Sequence, residues 1–193
     1  IRYWDSQGID VFYQDLGKAY NIQLLNTTSN VRSLSSSDND NYLAVVGTAI
    51  YVADDATLYK STDNGQTFST VSTGLTAGYN IKGLAAHGDL LYIVANNGSA
   101  GEIEQLTSGG TSTQKSTAQI FDGIWSVKGK FLVAAGTGLH QYDGATTVSS
   151  AIINLPSGQT WTDVTDAGAV ILATATDGRV YSLKDVTGTF TDH

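Results

Sequence analysis

A chain of 193 residues carries one domain's worth of core and is short for two independent ones. With 41% apolar residues, 15% charged residues and 21 glycines, it is too apolar to stay disordered and too poor in charged helix formers for a bundle, which leaves an all-β fold. The formal charge of -8, from 18 acidic against 10 basic residues, argues against nucleic acid; no apolar run approaches the ~18 residues of a membrane span; and zero cysteines exclude disulfides, thiolate metal sites and cysteine nucleophiles. Beginning at Ile1 and containing no methionine, the sequence reads as an excised part of a longer product.

Followed from its N-terminus, the chain repeats. Apolar β-rich segments begin at Ile9, Ile50, Leu91, Phe131 and Val170, spaced 41, 41, 40 and 39 residues apart. Just before them stand Gly8, Gly47, Gly88, Gly129 and Gly168, read as the tight turns of β-hairpins. After them come polar breaks, Asp15-Leu16-Gly17, Asp54-Asp55-Ala56, Asn96-Asn97-Gly98, Gly136-Thr137-Gly138 and Asp177-Gly178, each followed by a third strand and a Thr- and Ser-rich fourth. A four-stranded antiparallel unit of this period is the blade of a β-propeller. The spacing predicts five blades, approximately 1–40, 41–78, 79–120, 121–159 and 160–193, forming one domain over 1–193.

The first unit carries Trp4 near its opening strand and ends in Ser37-Asp38-Asn39-Asp40-Asn41. That run imitates a calcium loop but lacks its glycine and distal bidentate Glu, so no metal site is predicted. In the second unit the third-to-fourth strand turn reads Ser61-Thr62-Asp63-Asn64-Gly65-Gln66-Thr67-Phe68, entered through Leu58-Tyr59-Lys60. This resembles the Asp-box, S-x-D-x-G-x-T-[FW], of the sialidase-type (BNR-like) repeat β-propeller family. In the fifth unit Asp185, Thr189 and Phe190 keep the D-x-x-x-T-F half of the box, whereas the third keeps only Gly110. The resemblance implies a folding device away from the ligand-binding face: Asp63 capping its own turn, Gly65 at positive φ, Phe68 packing between blades.

The same resemblance implies one enzymatic alternative, a sialidase-like glycoside hydrolase, in which three arginines hold a substrate carboxylate beside a tyrosine nucleophile and a glutamate. The chain has three arginines, Arg2, Arg32 and Arg179, but just two glutamates, Glu102 and Glu104, both in one strand, and about half the length such enzymes need. His87, His140 and His193 fall in different units, without an H-E-x-x-H or G-x-S-x-G motif. No enzyme and no cofactor is therefore expected.

In a propeller the second-to-third strand loops share a face with the starts of the first strands. That face would gather Trp4, Tyr79, Trp125 and Trp161 with Asp54, Asp55, Asn96, Asn97, Asp177 and Arg179. Flat aromatics beside amides and carboxylates suit sugar rings or a protein hot spot, although each tryptophan also serves as filler between wedge-shaped blades. Low Lys and Glu with abundant Thr, Ser, Asn and Gly resembles bacterial extracellular modules and phage virion proteins. The expectation is a non-enzymatic binding or structural interaction module on an extracellular or virion (phage tail or appendage) surface, with a glycan or protein partner. An intracellular protein–protein scaffold is the third reading.

Overall fold

The computed structural model describes residues 41–116, 119–184 and 191–192. The first repeat unit, with Trp4, and the half-box at Asp185–Phe190 lie outside the described residues. Among the described residues there is no helix, and sixteen strands form four antiparallel sheets of four, each in strictly sequential order. The first holds β1 (Asn41–Val46), β2 (Ala49–Asp54), β3 (Thr57–Ser61) and β4 (Ser69–Val71). β5 (Asn80–His87), β6 (Leu90–Asn96), β7 (Gly101–Thr107) and β8 (Ser112–Ser116) make the second. The third is β9 (Gly123–Val127), β10 (Lys130–Ala135), β11 (Gly138–Tyr142) and β12 (Val148–Asn154). The fourth is β13 (Trp161–Asp166), β14 (Ile171–Ala175), β15 (Val180–Leu183) and β16 (Thr191–Asp192). This is a β-propeller in which the described residues form four blades; the fifth blade expected from the repeat, on 1–40, lies outside the described residues.

The strand pattern follows from where each strand sits. β6, the second strand of its blade, is a nearly continuous apolar run because it is covered on both faces: Leu91 and Ile93 join the core toward the first blade, Tyr92 and Val94 the core toward the third. At the end of the described arc, β13 buries Trp161 and Val164 and exposes the residues between them. Three apolar clusters fill the three spaces between consecutive blades. Around the inside, the first strands stand side by side, β1 against β5, β5 against β9 and β9 against β13. The hairpins joining first and second strands turn on Gly47, Gly88, Gly129 and Gly168, all at positive φ between 57° and 78°.

Candidate functional site

Antiparallel alternation puts the second-to-third strand turns and the blade-to-blade connections on one face, and the first hairpins with the third-to-fourth strand turns on the other. On the first of these faces one arrangement recurs at three successive seams. The Ile81 amide donates to the Asp55 carbonyl at 2.8 Å, Asn96 Nδ2 donates to the Phe121 carbonyl at 2.6 Å, and Trp161 Nε1 donates to the Thr137 carbonyl at 3.1 Å. In each, the second-to-third strand turn of one blade is fastened to the chain entering the first strand of the next. These bonds satisfy polar groups that packing would otherwise bury unpaired.

Two residues expected to face a ligand are thereby engaged in the seams. Trp161 is 5% exposed and makes an edge contact with Tyr181 at 5.2 Å between ring centroids, so its indole is interior filler and presents no plate to solvent. Asn96 is 6% exposed; its amide also reaches Asp122 Oδ1 at 3.2 Å and its carbonyl oxygen accepts the Gly98 amide at 3.1 Å. Trp125 is half-buried against the cluster between the third and fourth blades, its ring lying over Gly123. The residues that remain toward solvent are Asn97 and Arg179, with Tyr79, Asp54, Asp55 and Asp177 half-buried.

These side chains are held in place by their turns. Asn97 Oδ1 accepts the Ser99 and Ala100 amides at 2.9 and 2.8 Å. Asp177 accepts the Arg179 amide at 3.0 Å and the Tyr181 hydroxyl at 3.3 Å, and its Oδ2 lies 3.8 Å from Arg179 Nε. A guanidinium beside a carboxylate, an exposed amide and partly open rings can donate to and accept from a polyol or a peptide. Sequence reasoning passed over Asp122, which lies on the same face between Asn96 and the Gly136 amide, 2.9 Å from its Oδ2. Burial pushes this carboxyl up, against the Gly136 amide, Lys82 and Asn96, which pull it down.

On the opposite face the Ser61–Phe68 turn is knitted internally. Ser61 Oγ accepts the Gly65 amide at 2.8 Å and donates to Asp63 Oδ1 at 2.7 Å. Asp63 in turn accepts the Thr67 amide at 2.9 Å and the Thr67 hydroxyl at 2.5 Å. The Thr67 hydroxyl and amide, then the Ser61 hydroxyl, hold the Asp63 carboxyl down at about 2. Gly65 has φ 83°, and Phe68 is half-buried. Two further turns repeat the cap, and the sequence had not flagged either as doing so. Asp143 Oδ1 accepts the amides of Ala145, Thr146 and Thr147 at 2.8, 3.0 and 3.0 Å, while Thr107 Oγ1 accepts the Thr111 amide at 3.1 Å. In all three turns the side chain at position i takes the amide at i+4.

No protein-family model matches this sequence, and no curated protein matches it. Among solved structures it is similar to a protein of unknown function from Bacteroides caccae, at TM-score 0.66 and 11% identity, over 92% of this chain and 70% of that one. It is also similar to YCF48 from Cyanidioschyzon merolae, at TM-score 0.61 and 10% identity, over 79% of this chain and 55% of that one. A third likeness is to the extracellular domain of BT4673 from B. thetaiotaomicron, at TM-score 0.63 and 12% identity, over 89% of this chain and 23% of that one. The chain thus spans about half of YCF48 and under a quarter of the BT4673 domain. At these identities the likeness is one of fold, the β-propeller.

Proposed function

We propose that this chain is a non-enzymatic, five-bladed propeller of the Asp-box type that works as a binding module on an extracellular or virion surface, with a glycan as its ligand. The observation that carries the reading is the division of labour on one face. The seam bonds occupy Asn96, Trp161 and backbone carbonyls, while on the same face Asn97 and Arg179 are exposed and Asp54, Asp55 and Asp177 are half-buried. Supporting a non-catalytic role, the chain's two glutamates, Glu102 and Glu104, are 1% and 2% exposed. The three described turn caps, at Asp63, Asp143 and Thr107, support the family reading, and the repeat spacing of the sequence supports a fifth blade on 1–40. The extracellular setting draws on composition and on the BT4673 likeness.

A glycan array tests this directly. Specific sugar hits are expected, weakened about tenfold, or ~1.4 kcal/mol, by the pair Asp54→Ala and Arg179→Ala and untouched by Asp63→Ala on the opposite face. An empty array, with binding instead to a protein partner, would replace the glycan by a peptide surface. Hydrolysis of a fluorogenic sialoside that disappears in Arg179→Ala would replace the module by a hydrolase.

A further inference from the structure

The connection from the first described blade to the second, residues 72–79, lies over a pair of buried carboxyls. Glu102 and Glu104 alternate on one face of β7, and the paired strand β8 brings Ser112 and Gln114 beside them. Glu102 is a pure acceptor: its oxygens take the Thr76 amide at 2.7 Å, the Thr76 hydroxyl at 2.8 Å and Gln114 Nε2 at 2.9 Å. Glu104 is different. Its Oε2 lies 2.6 Å from Ser112 Oγ, and the same Ser112 Oγ lies 2.5 Å from the Thr73 carbonyl oxygen.

A serine hydroxyl has one hydrogen, and both contacts are at hydrogen-bonding distance for O–H···O. A backbone carbonyl has no proton to give, so with Ser112 donating to Thr73 the second contact is best filled by a hydrogen on Glu104. We propose that Glu104 is carried in the folded protein as a neutral carboxylic acid donating to Ser112, and that its ionisation loosens the connection between the first two described blades: a pH-responsive latch. Ionised, Glu104 would leave Ser112 with two acceptors for one hydrogen and would set a second negative charge beside Glu102.

The surroundings agree. Glu104 is 2% exposed, and burial is the main cause that pushes its carboxyl up; the Ser112 hydroxyl opposes this only in so far as its one hydrogen turns from Thr73 to Glu104, Glu102 adds to the push, and Lys115 opposes it. Lys115 on β8 is the cation in this balance; the connection 72–79 brings only Tyr79 among titratable residues, β6 puts Leu91 and Ile93 on this face while Tyr92 turns to the third blade, and the first blade adds Tyr51 and Lys60, whose Nζ donates to the Ser108 carbonyl at 3.1 Å. The connection comes in close, since a Cβ on Gly74 would stand 2.6 Å from Ser112 Oγ and 3.4 Å from Glu104 Oε2.

Because Glu102 and Glu104 are the chain's two glutamates, protein labelled with 13C at glutamate side-chain carboxyls gives two resonances, assignable by through-bond NMR without any variant. The Glu104 resonance is expected to titrate above the ordinary 4.5, with amide exchange of Thr73 to Thr76 rising beyond its intrinsic pH dependence as Glu104 ionises. The sign is that of a raised carboxyl: its stabilisation is complete below the unfolded value and is lost as pH rises through the folded one. E104Q, whose amide still donates to Ser112, should remove that loss. Ionisation of Glu104 at or below 4.5 overturns the proposal. So does an E104Q stability profile that still falls with pH in parallel with the native protein.

Discussion

At the scale of single residues, the turns on the hairpin face depend on side chains standing in for backbone partners. Asp63 binds Thr67 twice, and its carboxyl is held at about 2 from an ordinary 3.8. A lowered acid stabilises the fold above the unfolded value and stops doing so as pH falls through the folded one. Acidification from pH 3.8 toward about 2 should therefore release the Thr67 amide to exchange, and Asp63→Asn should abolish that acid step in an NMR titration. Gly65 tests the same turn through its backbone. With φ at 83°, a β-branched replacement is strained, and Gly65→Val should lower stability by about 1–3 kcal/mol in urea denaturation. An unchanged midpoint would show that the turn can relax into another conformation.

At the scale of elements, neighbouring blades approach too closely in places for any side chain. A Cβ on Gly101, at the start of β7, would lie 2.5 Å from the Gln119 carbonyl and 2.8 Å from the Phe121 amide; on Gly83 of β5 it would lie 2.9 Å from the Ile124 amide. Both obstacles are the backbone of the chain entering or forming β9, which cannot swing aside like a side-chain tip. Gly101→Ala should therefore cost about 1–3 kcal/mol by overpacking, read as a lower midpoint with native-like circular dichroism. The neighbouring seam depends on the indole of Trp161: Trp161→Phe keeps most of the apolar filler but leaves the Thr137 carbonyl without that donor at 3.1 Å, a loss of about 1 kcal/mol. A seam variant as stable as the native protein would mean that water replaces the bond at no cost.

At the scale of the molecule, each blade is a small sheet that cannot bury both of its faces alone, so protection should follow how many neighbours a blade has. The described residues provide a direct comparison. β6 packs on both faces, whereas in β14 Ile171, Ala173 and Ala175 join the core toward the third blade and the alternate residues Leu172 and Thr174 stay half-buried. In native-state hydrogen exchange, the amides of Leu91 to Ala95 should outlast those of Ile171 to Ala173. Equal protection would indicate a ring closed as tightly at its ends as in its middle. Deleting residues 1–40 extends the test to the proposed fifth blade: the shortened chain should unfold at lower denaturant, and an unchanged midpoint would remove 1–40 from the ring.

The sequence by itself determined the class and the rhythm of the fold. A period near 40 with glycine before each second strand is a local property, written into hairpin turns that need positive φ and into strands buried on both faces, and the strand boundaries of four blades follow it. The intact turn at Ser61–Phe68 was legible for the same reason, since its partners lie within four residues of one another in sequence. Its relatives at Asp143 and Thr107 escaped notice because the shared feature is a hydrogen bond from side chain i to amide i+4, which Thr can make as well as Asp. The tertiary structure alone decided which residues of this face are taken up in the seams between blades. Asn96, Trp161 and Asp122 are joined to partners 24, 25, 26 or 14 positions away, and whether a tryptophan is a plate or a wedge depends on the neighbouring blade. The buried glutamates belong to the same class: in sequence they are two acidic residues in a strand, and only the tertiary structure brings Thr73 and Ser112 against Glu104, the contact on which the proposed latch rests.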